Sequence, residues 1–527
     1  MNLKINKPAV DIATQSAVIH IGASSIGLLV GQMSLETGNY EVVEILSRPV
    51  PLAADIFEHG YIRPTTMDAC TDALRTFLAN ISETVGEGAL PGRVHATNIL
   101  AEASNEDVFL NRVSITCGME VATLDDGEMT RLVYFISQRL FETKAKLLGA
   151  HTAVCHVGPG NTRILYFEGG KIQSYFSYRL GGFRIAGALS SERAETSKLE
   201  LIDGSIRGTL ESIVNDCGVQ VESFVALGGE IQLVASKIGE KKGGLMVVKT
   251  SQLGKFLKEI ESDDFDDLVR KFRLDYHSVE ALVPTVRAVY SIAVAMGSRR
   301  IVTLSGSFDR ELLEMLAFRD GSFATPIQEE VRLGAHRLAA KFLVDMDHAL
   351  QVEDLCVQLF DALRSLHHLD EGDKLLLRVA AILHEAGRFV SPKAHHQHSF
   401  YLIKHSEIFG LSHREIGIVA LVARYHRHSP PKRNHEGYKD LTRGDRLLVA
   451  KLASILRVAD ALERGHSQRV RKLEAVLEDR HLVLVVSDLE DVSLEQFAMN
   501  EKGNLFTQIF GVDIDVRGGM IGSRLHD

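Results

Sequence analysis

The chain carries one local pattern twice, far apart. Val18 to Val30 reads VIHIGASSIGLLV, and Ala153 to Leu180 reads AVCHVGPGNTRILYFEGGKIQSYFSYRL. In each, an apolar run of strand character ends at His-x-Gly, turns through small residues and resumes as a second apolar run. The copies superpose with His20 over His156, Gly22 over Gly158, Ser25 over Asn161 and Leu29 over Leu165. Their separation is far too long for a solenoid repeat and predicts a duplicated α/β unit. A third strand is expected at Tyr40 to Val50 in the first copy, and beyond a Gly169-Gly170 hairpin in the second. A helix is expected from about Met67 to Val85.

Beyond about Leu333 the texture becomes helical. Val352, Leu355, Leu359, Leu363 and Leu366 recur at three- and four-residue steps, and Leu375 to Ala386 and Arg446 to Arg464 continue the pattern, ending near Gly387 and Gly465. From about Lys472 onward, HLVLVVS, a helical stretch and VDIDV predict a small α/β tail. Five cysteines with no C-x-x-C pair argue against a disulfide framework or thiolate zinc site and favour a reducing compartment. No secretory signal or run of about 18 uninterrupted apolar residues is present, so a cytoplasmic location without membrane partners is expected. A net charge of -10 argues against bulk nucleic-acid affinity, so any polyanion site must be local. Arg388 to Asp440 offers one, with nine Lys/Arg against four Asp/Glu, and twelve of the 22 histidines fall between His348 and His435.

A strand followed by a Gly/Ser turn exposes amides that can cradle phosphate oxygens, and two such loops facing each other make a clamp. Taken singly, each is as well an ordinary hairpin turn. Together they resemble the phosphate loops of the actin-like, sugar-kinase and Hsp70 superfamily. Further motifs narrow the resemblance: HIGASS (His20 to Ser25), TNILAEASN (Thr97 to Asn105), DDGEMTRL (Asp125 to Leu132), HVGPGNT (His156 to Thr162), LGGFR (Leu180 to Arg184), LGGE (Leu227 to Glu230) and LSGSFDRELL (Leu304 to Leu313). With AAILHEAGRF, HHQHSFYLI and ILRVADALERGH in the helical part, the chain resembles the exopolyphosphatase and guanosine pentaphosphate phosphohydrolase (Ppx/GppA) family over nearly its whole length.

The resemblance implies an α/β fold of two actin-like (ribonuclease H-like, ASKHA) domains, followed by an all-α HD-like domain and a small C-terminal α/β domain. Expected bounds are 1–135, 136–325, 326–475 and 476–527. It also implies hydrolysis of terminal phosphoanhydride bonds in polyphosphate or pppGpp, using loop aspartates, Mg²⁺, an Arg and a Glu base, in a protein that can form a homodimer. Here the aspartate positions are His20 and His156, the Arg position is Ala101 and the Glu position is Met129. Imidazole serves Mg²⁺ poorly, and a thioether takes no proton from water. Glu128 is the candidate displaced base, although a one-residue shift turns a helical side chain by about 100°. Gly22, Ser24, Ser25, Gly158, Gly160, Asn161, Thr162 and Gly228 remain as candidate phosphate-binding residues. His20 and His156 are alternatively ligands for Zn²⁺ or Mn²⁺, or plain polar residues at strand ends.

In the helical part, His348, His384 with Glu385, and Asp460 follow the ligand order of HD-type phosphohydrolases and are the candidate metal set, for Mn²⁺ or Zn²⁺ if the histidines ligate. Arg424, Arg427, Lys432 and Arg433 are the candidate polyanion contacts. Three readings stay open. One is a Ppx/GppA-type hydrolase with an impaired or rewired active site, and another a non-catalytic polyphosphate- or nucleotide-binding regulator. The third is a metal-dependent hydrolase working from the helical domain.

Overall fold

The computed structural model describes residues 14–33, 40–85, 91–118, 120–144, 147–191, 198–217, 221–318, 325–427, 429–478, 480–487 and 489–519. The chain divides into two compact units, Met1–Asp320 and Gly321–Asp527.

In the first unit, β1 (Thr14–Ile21), β2 (Ser25–Met33), β3 (Tyr40–Pro49), β4 (Arg93–Ala96) and β5 (Ala122–Thr123) form one sheet in the order β3-β2-β1-β4-β5. A second sheet contains β6 (His151–Val157), β7 (Thr162–Glu168), β8 (Lys171–Tyr178), β9 (Ser223–Leu227), β10 (Glu240–Lys242), β11 (Leu245–Lys249) and β12 (Arg300–Leu304), in the order β10-β11-β12-β9-β6-β7-β8. The run β3-β2-β1-β4 thus recurs as β8-β7-β6-β9. In both, an antiparallel meander is followed by a strand that returns parallel to the first. The duplication expected from the sequence is therefore a duplication of topology. The β7–β8 hairpin turns through Gly169 and Gly170 with φ of 57° and 80°, which side chains other than glycine rarely adopt.

Each sheet has its own core. Ile19, Ile21, Ile26, Leu28 and Val30 pack with Leu74 and Phe77 of the Pro64–Thr84 helix. Ala153, Cys155, Ile164 and Phe224 pack with the Leu282–Ala295 helix. The stretch Tyr276–Ala295 is, by length and composition, apolar enough to cross a membrane, although polar residues interrupt its apolar run. Its Leu282, Val286, Val289 and Ile292 are buried in the core of the seven-stranded sheet, which accounts for the composition. All five cysteines are buried and unbridged.

The second unit is built on helices Thr325–Lys341, Met346–Ala362, Glu371–Leu383, His395–Lys404, His413–Arg424 and Arg443–Leu462. Val352, Leu355, Leu359 and Leu363 of the expected stripe are buried. Two helices begin earlier than periodicity suggests, because their first turns are polar and set by caps. Asp370 closes a capping box with Asp373, and the Thr442 hydroxyl accepts from the Asp445 amide. The tail forms a sheet β13-β14-β15 from β13 (Leu473–Glu478), β14 (His481–Val486) and β15 (Asp513–Gly518), with helices Ser493–Lys502 and Asn504–Phe510. Fully buried Arg457 ties this tail to the helices. Its guanidinium donates to the carbonyl oxygens of Tyr425 (2.6 Å) and Ser429 (2.8 Å) and to Asn504 Oδ1 (3.0 Å). Burial lowers its pKa to about 10.

Candidate functional site

The two loops close in the same way. The Gly22 amide donates to the Ser25 carbonyl at 2.8 Å, and the Gly158 amide donates to the Asn161 carbonyl at 2.9 Å. A Cβ at either glycine would stand 2.8 or 3.1 Å from that same carbonyl oxygen, so the tightness of the turn requires glycine at Gly22 and strongly favours it at Gly158.

Both loops line one cavity of about 380 Å³ within the first unit. Gly22, Ser24 and Ser25 contribute from the first loop and Gly158 from the second, while Gly228 leads into the Gly229–Ile238 helix with φ 135°. Those five expected phosphate-binding residues are brought together. Gly160, Asn161 and Thr162 do not line the cavity and serve other contacts. A Cβ on Gly160 would stand 2.9 Å from Phe57 and 3.3 Å from Arg184, whose Nε donates to the Gly160 carbonyl. The Asn161 side-chain amide donates to Asp126 at 3.0 and 3.1 Å, and the Thr162 hydroxyl donates to the Leu180 carbonyl at 2.6 Å.

The imidazoles of His20 and His156 line the same cavity and are neutral at ordinary pH. Burial, then His95, lowers the pKa of His20 to about 4, and burial, then Arg163, lowers that of His156 to about 3. His156 stacks on Phe308 at 4.8 Å, and neither His20 Nε2 nor His156 Nδ1 has a hydrogen-bond partner. Met129 is on the wall. Glu128 is one residue round the Asp126–Lys144 helix, where its carboxylate accepts from the Asp125 amide at 2.9 Å while the Glu128 amide donates to Asp125. The structure thus gives Glu128 a helix-capping task. Ala101 is exposed on the 3₁₀ turn Asn98–Glu102.

These residues do not fit Mg²⁺, which demands about six oxygen ligands in octahedral array. Where the resemblance places loop carboxylates the cavity wall presents the imidazoles of His20 and His156, and where it places the base it presents the thioether of Met129. The two groups of three potential ligands found among the described residues both lie in the second unit, and neither includes His20 or His156.

The LGGE loop also brings Glu230 to the cavity wall. Its half-buried carboxyl is pushed up to about 7, first by desolvation, against a backbone hydrogen bond that lowers it, and then by Asp309, which also lines the cavity together with Arg310. The absence of a charged partner in its own loop gave no local signal. Asp309 and Arg310 begin the Phe308–Phe318 helix, and only the fold brings them to this wall.

In the second unit, His348, His384 and Asp460 converge with their potential ligand atoms within 4.8 Å of one another. Asp460 Oδ1 stands 3.6 Å from His348 Nε2 and 3.9 Å from His384 Nε2. Tetrahedral zinc with bonds of about 2.05 Å separates its ligands by about 3.3 Å, so a small adjustment would accommodate an ion. His384 Nδ1 faces the Ala381 carbonyl at 2.7 Å, an acceptor only; this puts the proton on Nδ1 and leaves a lone pair on Nε2 directed at Asp460. The other carboxylate oxygen of Asp460 pairs with Lys502. Burial alone would raise the Asp460 pKa, but the Lys502 ammonium beside it holds it well below the usual range. Glu385 does not join this set. It belongs to a second grouping with His348 and exposed His466, and it accepts from Arg388 at 2.9 Å. His426 reaches His384 with ring centroids 5.0 Å apart.

Of the basic residues, Arg424 lies 4.9 Å over the Phe400 ring and donates to the Glu436 carbonyl. Arg427 is half-buried, and Lys432 and Arg433 are exposed.

Comparison with known proteins agrees with the resemblance in the motifs. The chain is 23% identical over 453 residues to a guanosine-5'-triphosphate,3'-diphosphate pyrophosphatase of Aliivibrio fischeri strain ES114, covering 84% of this chain and 86% of that one. The corresponding protein of strain MJ11 is 24% identical over 454 residues, with the same coverage. Among solved structures, an exopolyphosphatase from Cytophaga hutchinsonii aligns with a TM-score of 0.48 at 14% identity, over 57% of this chain and 97% of that one. Residues 26–285 match the model of the Ppx/GppA phosphatase family, and residues 332–501 match that of Ppx/GppA phosphatase domain III. The two matches together span most of the chain, which belongs to the Ppx/GppA phosphatase family.

Proposed function

We propose that the first unit binds the terminal phosphates of inorganic polyphosphate or a guanosine polyphosphate between its two glycine loops and hydrolyses the terminal phosphoanhydride bond with a rewired residue set. The observation that carries this reading is the cavity itself, walled by Gly22–Ser25 and Gly158 and entered by Gly228 ahead of a helix start. Amides and a helix N-terminus suit phosphate oxygens without a metal. Mg²⁺ has no part in the step proposed here. The family match and the relative named for guanosine polyphosphate chemistry support the choice of ligand class. The matching experiment is phosphate release from polyphosphate and from pppGpp, alongside calorimetric binding of each. Turnover supports the hydrolase. Tight binding without turnover supports the regulatory alternative, and neither sinks both.

A second reading is favoured by the convergence of His348, His384 and Asp460. These three would hold Zn²⁺ or Mn²⁺, and such an ion supplies Lewis acidity and an acidified water. A hydrolase working from the second unit loses its activity in His384→Ala, whereas the cleft reading predicts that this activity survives. The basic set Arg424, Arg427, Lys432 and Arg433 is proposed to hold distal phosphates of a long chain, with affinity falling as salt rises. A cytoplasmic homodimer without nucleic-acid or membrane partners completes the proposal.

A further inference from the structure

The cleft has lost the carboxylates its family resemblance leads one to expect, yet it is not without a carboxyl group. Glu230 is the second residue of the Gly229–Ile238 helix, and its Oε2 lies 3.8 Å from where a Cβ on Gly228 would stand. The carboxyl therefore folds back over the loop and lines the cavity with Gly22, Gly158 and Met129. We propose that Glu230 is the general base of this cleft, taking the proton of the water that attacks the terminal phosphorus. This rests on the hydrolase reading of the same cavity.

The competing groups on the wall are poorer candidates. Met129 has no basic atom of use. His20 and His156 have unpartnered ring nitrogens but hold protons only below about pH 4 and about pH 3, so they are weak bases at neutrality. Asp309, on the Phe308–Phe318 helix, is the more exposed of the two carboxyl groups on the wall and is followed there by Arg310; its charge raises the pKa of Glu230. Glu230, pushed up to about 7, is half ionised near neutral pH, where a base is both present and strong enough to act.

The step balances with no further reactant. The water oxygen forms a bond to the terminal phosphorus as its proton passes to the Glu230 carboxylate. The bridging P–O bond breaks, its electron pair leaves on the shortened chain, and Glu230 then releases the proton to solvent or to that oxygen.

The test compares wild-type protein with Glu230→Gln and Glu230→Asp, using tripolyphosphate, long-chain polyphosphate and pppGpp, with rates measured from pH 5.5 to 9 and folding checked by thermal melts. A loss in kcat of about 10²–10⁴-fold in Glu230→Gln is expected, with KM nearly unchanged. The acidic limb of kcat/KM near pH 7 disappears with it, and Glu230→Asp recovers part of the rate. A folded Glu230→Gln protein that keeps wild-type kcat and the same limb overturns the base assignment while leaving the hydrolase reading intact. A wild-type protein that binds tripolyphosphate and releases no phosphate from any of the three overturns both.

Discussion

Arg163, with 3% of its side chain exposed, is held by the carboxylate of Asp126 across the base of the second glycine loop. Asp126 also accepts from Asn98 at 2.5 Å and from Asn161, so one carboxylate braces the turn region after β4, the start of the Asp126–Lys144 helix and the loop after β6. Removing it strands a buried guanidinium. Asp126→Ala is therefore expected to lower unfolding free energy by about 2–3 kcal/mol in urea titrations, toward the low end for broken buried pairs because Asp126 is itself part exposed. An unchanged midpoint would show that the pair carries no load.

The pH dependence of stability gives a view of Glu230 independent of catalysis. Its folded pKa of about 7 is above its ordinary 4.5, so between these values the folded protein holds a proton that the unfolded chain has released. Stability from this group is fully present below about pH 4.5 and is lost as pH rises through 7. Glu230→Gln abolishes that loss: the variant should match wild type at pH 5 and exceed it by about 1–2 kcal/mol at pH 8, less than the full shift implies because solvent screens the half-buried carboxyl. Equal differences at both pH values would place the Glu230 carboxyl in water rather than in the cavity wall.

Zinc should stabilise the second unit. At a free concentration 100 times the dissociation constant, binding adds about 2.7 kcal/mol, read as a rise in melting temperature of wild-type protein. His384→Ala removes the imidazole whose lone pair faces Asp460 and should abolish the rise. Glu385→Gln should keep it, because Glu385 is engaged by Arg388 and stands outside the His348–His384–Asp460 set.

Magnesium should behave differently. His20, His156 and Met129 offer it two nitrogens and a sulfur. Millimolar Mg²⁺ is expected to give no saturable heat in calorimetry with the His384→Ala protein. A saturable site there would mean that Glu230 and Asp309 assemble a cage with other oxygens.

Much of the fold was legible because it is written in local pattern. The His-x-Gly turns announced the duplicated meanders, and the Gly169-Gly170 dipeptide announced the hairpin, since backbone sterics act over a few residues. Helix starts were read late at Leu375 and Arg446, because the polar first turns set by Asp370 and Thr442 carry no apolar period. The basic cluster and the histidine-rich stretch were visible as composition.

The sequence by itself determined the family and the two glycine loops, both properties of residue type and order. Tertiary structure alone decided which of these meet. It placed Gly22, Ser24, Ser25, Gly158 and Gly228 around one cavity, turned Asn161 and Thr162 to bracing contacts and gave Glu128 to a helix cap. It also brought Glu230 beside Asp309, gathered His348, His384 and Asp460, and set Glu385 with His348 and His466 in a separate group. Such meetings depend on burial and on distances of a few ångströms between segments remote in the chain. Desolvation and Coulomb energy act on that scale, and no local pattern encodes it.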